Sequence, residues 1–215
     1  MIDSRIYIKS LNATEAGETN TNDSYILIPK GFDASDFFDL TEGNKKFFDA
    51  IDPESNKKYN LRFEVTSKTK EQRIYKLGVF CREKGLHAGD TISIEHLVID
   101  GESSFIIRSR HLENIVLLQK FKGDYIIGRN DLGDSLFETP LTLKYNGYDI
   151  NLTLSFKERA QKRSDSPDEY DVYEAKLATG QKLSEVNKDG YIIIDIDNRA
   201  IIPFEPTKEY RITQE

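Results

Sequence analysis

The chain has no tryptophan, one methionine and one cysteine, Cys81, in 215 residues. A lone thiol excludes a disulfide framework. With only three scattered histidines, His87, His96 and His111, it also excludes a dedicated Cys/His zinc site. No run of about 18 apolar residues occurs, and the N-terminus lacks the charged, apolar and small-residue succession of a secretory signal. No membrane span and no cleaved leader are therefore expected, and the thiol usage points to a reducing, cytoplasmic setting. Also missing are the phosphate-cradling GxxxxGK(S/T) loop, the GxSxG nucleophile elbow, the HExxH zinc motif and a paired CxxC. Those absences remove the enzyme classes that announce themselves by a short motif.

What is present is a chain with 38% hydrophobic and 31% charged residues, enough to bury a core, and a net charge of −7. Bulk charge thus opposes nucleic acid, but the charge is unevenly spread. Lys57 to Lys76 carries seven basic residues (Lys57, Lys58, Arg62, Lys68, Lys70, Arg73 and Lys76) against two acids, Glu64 and Glu71. A second basic cluster, Lys157, Arg159, Lys162 and Arg163, precedes an acidic stretch, Asp165 to Glu174. No low-complexity linker interrupts the chain, and the division into 1–112 and 113–215 rests on a change of pattern near His111–Asn114.

Strands dominate the pattern. Apolar and polar residues alternate at Ile6–Lys9, Tyr25–Ile28, Asn60–Val65, Thr91–Ile94 and Phe105–Ile107. They do so again at Ile115–Leu118, Tyr125–Ile127, Leu141–Leu143, Ile150–Leu154, Asp171–Tyr173 and Tyr191–Ile194. Asp100-Gly101, Asn146-Gly147 and Asp189-Gly190 supply turn signals between them. Two short stretches read as helices: Asp33–Leu40 with Asp33 as N-cap, and Val79–Lys84 stopped by Gly85. Many short strands and few helices give a mainly β barrel or sandwich. The polar end, Pro206–Glu215, carries no clear terminal structure. Cys81, on the apolar side of the second helix, reads as a buried structural thiol.

One constellation has the order of a metal-dependent nuclease site: Pro167-Asp168, then Glu174-Ala175-Lys176. In such a site two carboxylates hold Mg²⁺ and the lysine steadies water or phosphate. The five residues between Asp168 and Glu174 are tight for two strands, and Glu-x-Lys arises by chance in a charged chain. The competing reading is a charged turn entering a strand.

The order of pieces in the first half is more informative. Strand Ile6–Lys9 leads to a Thr/Asn/Gly-rich loop, Ser10–Ser24, then to a strand ending Ile28-Pro29, then Phe37-Phe38. The basic hairpin Asn60–Lys76 follows, and then Phe80-Cys81-Arg82-Glu83-Lys84-Gly85-Leu86-His87-Ala88-Gly89-Asp90-Thr91-Ile92. This succession resembles the B3-type DNA-binding domain, and within that superfamily the N-terminal effector or specificity domain of EcoRII-like restriction endonucleases. The resemblance covers about residues 4–112. It implies an open B3-like pseudobarrel with two short helices, joined to a β-rich C-terminal half, 113–215, that is an extension or companion domain. It also implies two arms that grip the major groove of double-stranded DNA, with Lys9, Asn22, Arg62, Thr69, Glu71, Gln72 and Arg73 where relatives contact DNA. Against that pattern the hairpin is shorter, Thr69 and Gln72 replace basic residues, and the first arm is Thr/Asn-rich rather than glycine-rich. A short CC(A/T)GG-like site is the first expectation for a target.

The residue chemistry fits a duplex reader independently of the resemblance. The first loop offers Lys9, Ser10, Asn12, Thr14, Thr19, Asn20, Thr21 and Asn22, with Gly17 allowing close backbone approach. The hairpin offers Arg62, Ser67, Lys68, Thr69, Lys70, Glu71, Gln72, Arg73 and Lys76. Arginine can take guanine O6 and N7 together, glutamine can take adenine, and glutamate can accept from cytosine N4. Solvated polar hairpins are the plainer reading of both arms. The leading expectation is sequence-specific duplex binding, as target-recognition or effector part of a type II restriction endonuclease. It needs no cofactor for binding, and Mg²⁺ belongs only to a nuclease domain, expected C-terminal to residue 215. The alternatives are a Mg²⁺-dependent nuclease within this chain, using Asp168, Glu174 and Lys176, and a β-rich protein-interaction module.

Overall fold

The computed structural model describes residues 2–18, 25–29, 34–35, 37–40, 43–131, 140–161, 169–178, 190–204 and 208–214. The chain begins with β1 (Ile2–Ser10), α1 (Ala13–Ala16), β2 (Ile26–Ile28), β3 (Lys45–Asp52), β4 (Lys57–Val65), β5 (Gln72–Tyr75), α2 (Gly78–Glu83), β6 (Thr91–Ile99) and β7 (Glu102–Arg110). It continues through β8 (Ile115–Phe121), β9 (Asp124–Asn130), β10 (Leu141–Tyr145), β11 (Tyr148–Gln161), β12 (Glu169–Leu177), β13 (Tyr191–Asp195) and β14 (Ala200–Ile202), and closes with β15 (Lys208–Gln214). The protein is thus mainly β with two short helices among its described residues.

Two compact units result: residues 1–111 with 205–215, and residues 112–204. In the first, eight strands form one sheet in the order β15-β1-β6-β7-β3-β4-β5-β2. Strand alternation sends one set of side chains inward. Leu61, Phe63 and Ile74 from β4 and β5, Ile26 and Ile28 from β2, and Phe48 and Ala50 from β3 fill the interior. Phe38 stacks on Phe63 at 4.7 Å, and Phe48 meets Phe105 at 4.7 Å. Each buried ring of this kind contributes about 1.5–3 kcal/mol. In the second unit, β10-β11-β12-β9-β8-β13-β14 close into a barrel around Val116, Leu118, Ile150, Leu152, Ile192 and Ile194.

Local chemistry explains the boundaries. Asp100-Gly101 and Asn146-Gly147 both have positive φ at each position, the conformation that a tight hairpin demands and that Gly, Asn and Asp tolerate. Asp189 of the third turn signal lies outside the described residues. Helix α2 ends one residue before Lys84, and Gly85 takes φ +61 immediately after.

Two expectations are corrected. No helix spans the described part of Asp33–Leu40, and its N-cap Asp33 lies outside the described residues. Phe37 and Phe38 are consecutive yet both fully buried. Turns closed by Phe38 N–H to Ala34 O (3.0 Å) and Leu40 N–H to Ser35 O (2.8 Å) let both rings enter the core, where they meet edge to face at 4.8 Å. The polar end is not without structure either. Strand β15 pairs antiparallel with β1 from Ile2↔Gln214 to Ile8↔Lys208. The first half's loop also hides a helix: Asn12 caps α1 by accepting from Glu15 N–H (3.0 Å), and Glu15 accepts from Asn12 N–H (3.2 Å).

Candidate functional site

The basic hairpin is β4 and β5 joined by residues 66–71. The tip is closed by Thr66 N–H to Glu71 O (2.8 Å) and Lys70 N–H to Thr66 O (3.0 Å), with Lys70 at φ +57. The Thr66 hydroxyl accepts from Glu71 N–H (3.0 Å) and lies 2.7 Å from the Thr69 hydroxyl. Ser67, Lys68, Thr69 and Lys70 are exposed on this tip. The internal bonds fix the tip's shape and leave its lysines facing solvent.

Below the tip, strand parity divides the candidate residues. Gln72 shares the inward face with Ile74, and its side-chain oxygen accepts from the backbone N–H of Ala34 at 2.8 Å. Arg73 and Tyr75 share the outward face. Register places Arg62 opposite Tyr75, Glu64 opposite Arg73, and Leu27 opposite Arg73 on the other side. The two arginines sit over tyrosine rings: the Arg62 guanidinium carbon is 4.2 Å from the Tyr75 centroid, that of Arg73 is 4.3 Å from the Tyr25 centroid, and the two rings are 5.5 Å apart. Arg73 also pairs with Glu71 and donates to the Tyr75 hydroxyl (3.3 Å); these bonds, that to Tyr75 first, raise its pKa despite burial. Arg62 Nε sits 3.2 Å from Glu64. Neither arginine's Nε makes a hydrogen bond within the described protein, although both atoms are buried.

The result is a half-buried floor of guanidinium and aromatic surface on β2, β5 and β4. The hairpin tip stands at its Gln72 end. The first loop enters β2 at its Tyr25 end, because β2 runs antiparallel to β5. From Tyr75 to Glu71 is four strand residues, about 13 Å. A major groove is about 12 Å wide.

The first-arm candidates separate sharply. Lys9 is buried, pairs with Glu15 and donates to Leu27 O (3.0 Å). Ser10 is buried, Asn12 caps α1, and Thr14 is exposed on α1. Thr19, Asn20, Thr21 and Asn22 lie outside the described residues. Lys76 is exposed, with its ammonium 3.3 Å from the Asn60 amide oxygen and 5.2 Å from the Phe47 centroid. Tyr25, Tyr75 and the exposed Leu27 belong to the floor but were not among the sequence candidates. The alternation Gln72-Arg73-Ile74-Tyr75 already sets Arg73 and Tyr75 on one face. The partners from β2 and β4 are set only by pairing across the sheet.

In the second unit, Glu174 and Lys176 share one face of β12, both well exposed, and pair with each other at 2.7 Å. Asp168 lies outside the described residues, as do Lys162 and Arg163. Among the described residues no three His, Cys, Asp or Glu side chains converge to hold a metal ion. Lys157 pairs with Asp124 (2.7 Å) and Arg159 with Asp171 (2.9 Å), so both described members of this second basic cluster are engaged by carboxylates. The Cys81 thiol is buried and pushed up to about 12, chiefly by burial, which removes nucleophilic character. No described helix is long and apolar enough to cross a membrane.

No family model and no curated protein matches the chain. Among solved structures, the crystal structure of the UbaLAI restriction endonuclease B3 domain with cognate DNA matches at 18% identity and a TM-score of 0.36, covering 50% of this chain and 67% of that one.

Proposed function

We propose that residues 1–111 bind double-stranded DNA in the major groove and read a short base sequence, as the target-recognition part of a restriction endonuclease. The observation that carries this reading is the floor: two arginines held over tyrosine rings, flanked by a basic hairpin tip about one groove width from the entry of the first loop. Lys68 and Lys70 on the tip neutralise phosphates and supply affinity without sequence preference. Arg62 and Arg73 reach base edges and supply discrimination. Glu64 and Glu71 hold the guanidinium forks in the absence of DNA and compete with weak, non-cognate acceptors. The nuclease step is the work of a separate domain, and no step is assigned to Glu174 or Lys176.

Selection from a random duplex library tests this directly, followed by titration of the winner at several salt concentrations. A short enriched motif, bound more weakly as salt rises, is expected. Lys68→Ala with Lys70→Ala should weaken winner and random duplex alike and flatten the salt slope by about two phosphates' worth. An empty selection, with no affinity even at low salt, sinks the reading and leaves the protein-interaction alternative.

A further inference from the structure

Strand β2 is three residues long and lies at the end of the sheet, where a short edge strand is ordinarily held only by its neighbour. Here both backbone groups of the middle residue, Leu27, are held along the free edge. Its carbonyl accepts from the Lys9 ammonium (3.0 Å), and its N–H donates to the Glu15 carboxylate (3.3 Å). Lys9 and Glu15 pair with each other, and their side chains are 8% and 4% exposed. Burying an ion pair is costly and gives little net stability, but it fixes geometry. What it fixes is the backbone beneath one side chain, and that side chain is apolar and 42% exposed. Leu27 stands opposite Arg73 on the outward face, on the floor between the hairpin tip and Tyr25. An exposed leucine beside a guanidinium, anchored this firmly, has the chemistry of a pyrimidine-methyl contact. In the major groove the C5 position is the one apolar feature a base edge shows, and arginine takes the neighbouring guanine.

We infer that Leu27 is a specificity residue that senses the C5 methyl group of a pyrimidine, thymine or 5-methylcytosine, next to the base contacted by Arg73. This rests on the duplex-reading function proposed above. It makes Lys9 and Glu15 positioning residues for Leu27 rather than DNA contacts.

Every base pair contains one pyrimidine, so the selected duplex can be scanned completely. Each thymine is replaced in turn by deoxyuridine and each cytosine by 5-methylcytosine, and the full chain is titrated with every duplex. At one position the wild-type affinity should change about fourfold, the worth of one buried methyl-sized group. In Leu27→Ala that change should vanish; in Leu27→Met, which keeps an apolar contact, it should persist. A scan with no methyl-sensitive position overturns the inference, as does one whose sensitive position is indifferent to residue 27. Failure of the underlying function shows itself earlier and differently, as an empty selection, and takes this inference with it.

Discussion

Arg73 concentrates the chemistry of the floor in one side chain: its fork contacts Glu71 and Tyr75, and its guanidinium sits over the Tyr25 ring. That geometry uses the planar guanidinium, not only the charge, so a lysine in its place cannot reproduce it. Arg73→Lys should lose about 1–3 kcal/mol on the selected duplex while binding random duplex unchanged, as read by anisotropy titration of both. Equal affinity loss on both duplexes would reduce Arg73 to a phosphate contact. The sequence already showed Arg73 and Glu71 as candidates and the alternation that sets Arg73 beside Tyr75. It did not show that Lys9 points inward. A lysine at the end of an alternating strand reads as exposed until Glu15, brought close by the turn of α1, gives it a buried partner.

At the scale of elements, the β3–β4 hairpin is fastened to the end of α2. Asp52, almost fully buried, pairs with Lys84 (2.7 Å) and accepts from the Ser55 hydroxyl (2.6 Å) and Glu54 N–H (3.1 Å). Burial alone would raise the Asp52 carboxyl; its three donors outweigh that and hold it at about 2. Because the folded value lies below the ordinary 3.8, the unfolded chain binds more protons between these pH values. The contribution, about 2 kcal/mol, is therefore full above pH 4 and is lost as pH falls toward 2. Urea unfolding at pH 7, 4 and 2.5 should show Asp52→Asn less stable at the first two and losing less than wild type on going to the third. Parallel losses in both proteins would assign the acid sensitivity elsewhere. Sequence alternation made most strands legible, β4 and β6 among them. Strand β3 carries Lys45-Lys46-Phe47-Phe48, which shows no clean period because Phe47 is an exposed aromatic on the floor side.

At the scale of the molecule, the chain leaves the first unit after β7, builds a closed seven-stranded barrel, and returns as β15. The return gives β1 a partner on each side, β15 and β6, and β1 is the strand that carries Lys9 toward Leu27. Deleting residues 205–215 should expose one edge of β1 to solvent. Amide exchange read by mass spectrometry should then accelerate in β1, with β4 and β5 of the same unit as internal reference. Unchanged exchange in β1 would mean that β15 adds no protection.

The sequence by itself determined the mainly β class, the hairpin turns at Asp100-Gly101 and Asn146-Gly147, the α2 stop at Gly85, the burial of Cys81 and the basic hairpin with its tip. All of these depend on periodicity, backbone conformation or charge within a few neighbouring residues. Only the tertiary structure decided that Gln72 meets Ala34, that Lys9 is buried against Glu15, and that Tyr25, Leu27 and Arg62 join Arg73 and Tyr75 on one floor. Those facts depend on which strands pair and in what register, and a shift of one residue would turn each of these side chains to the other face of the sheet.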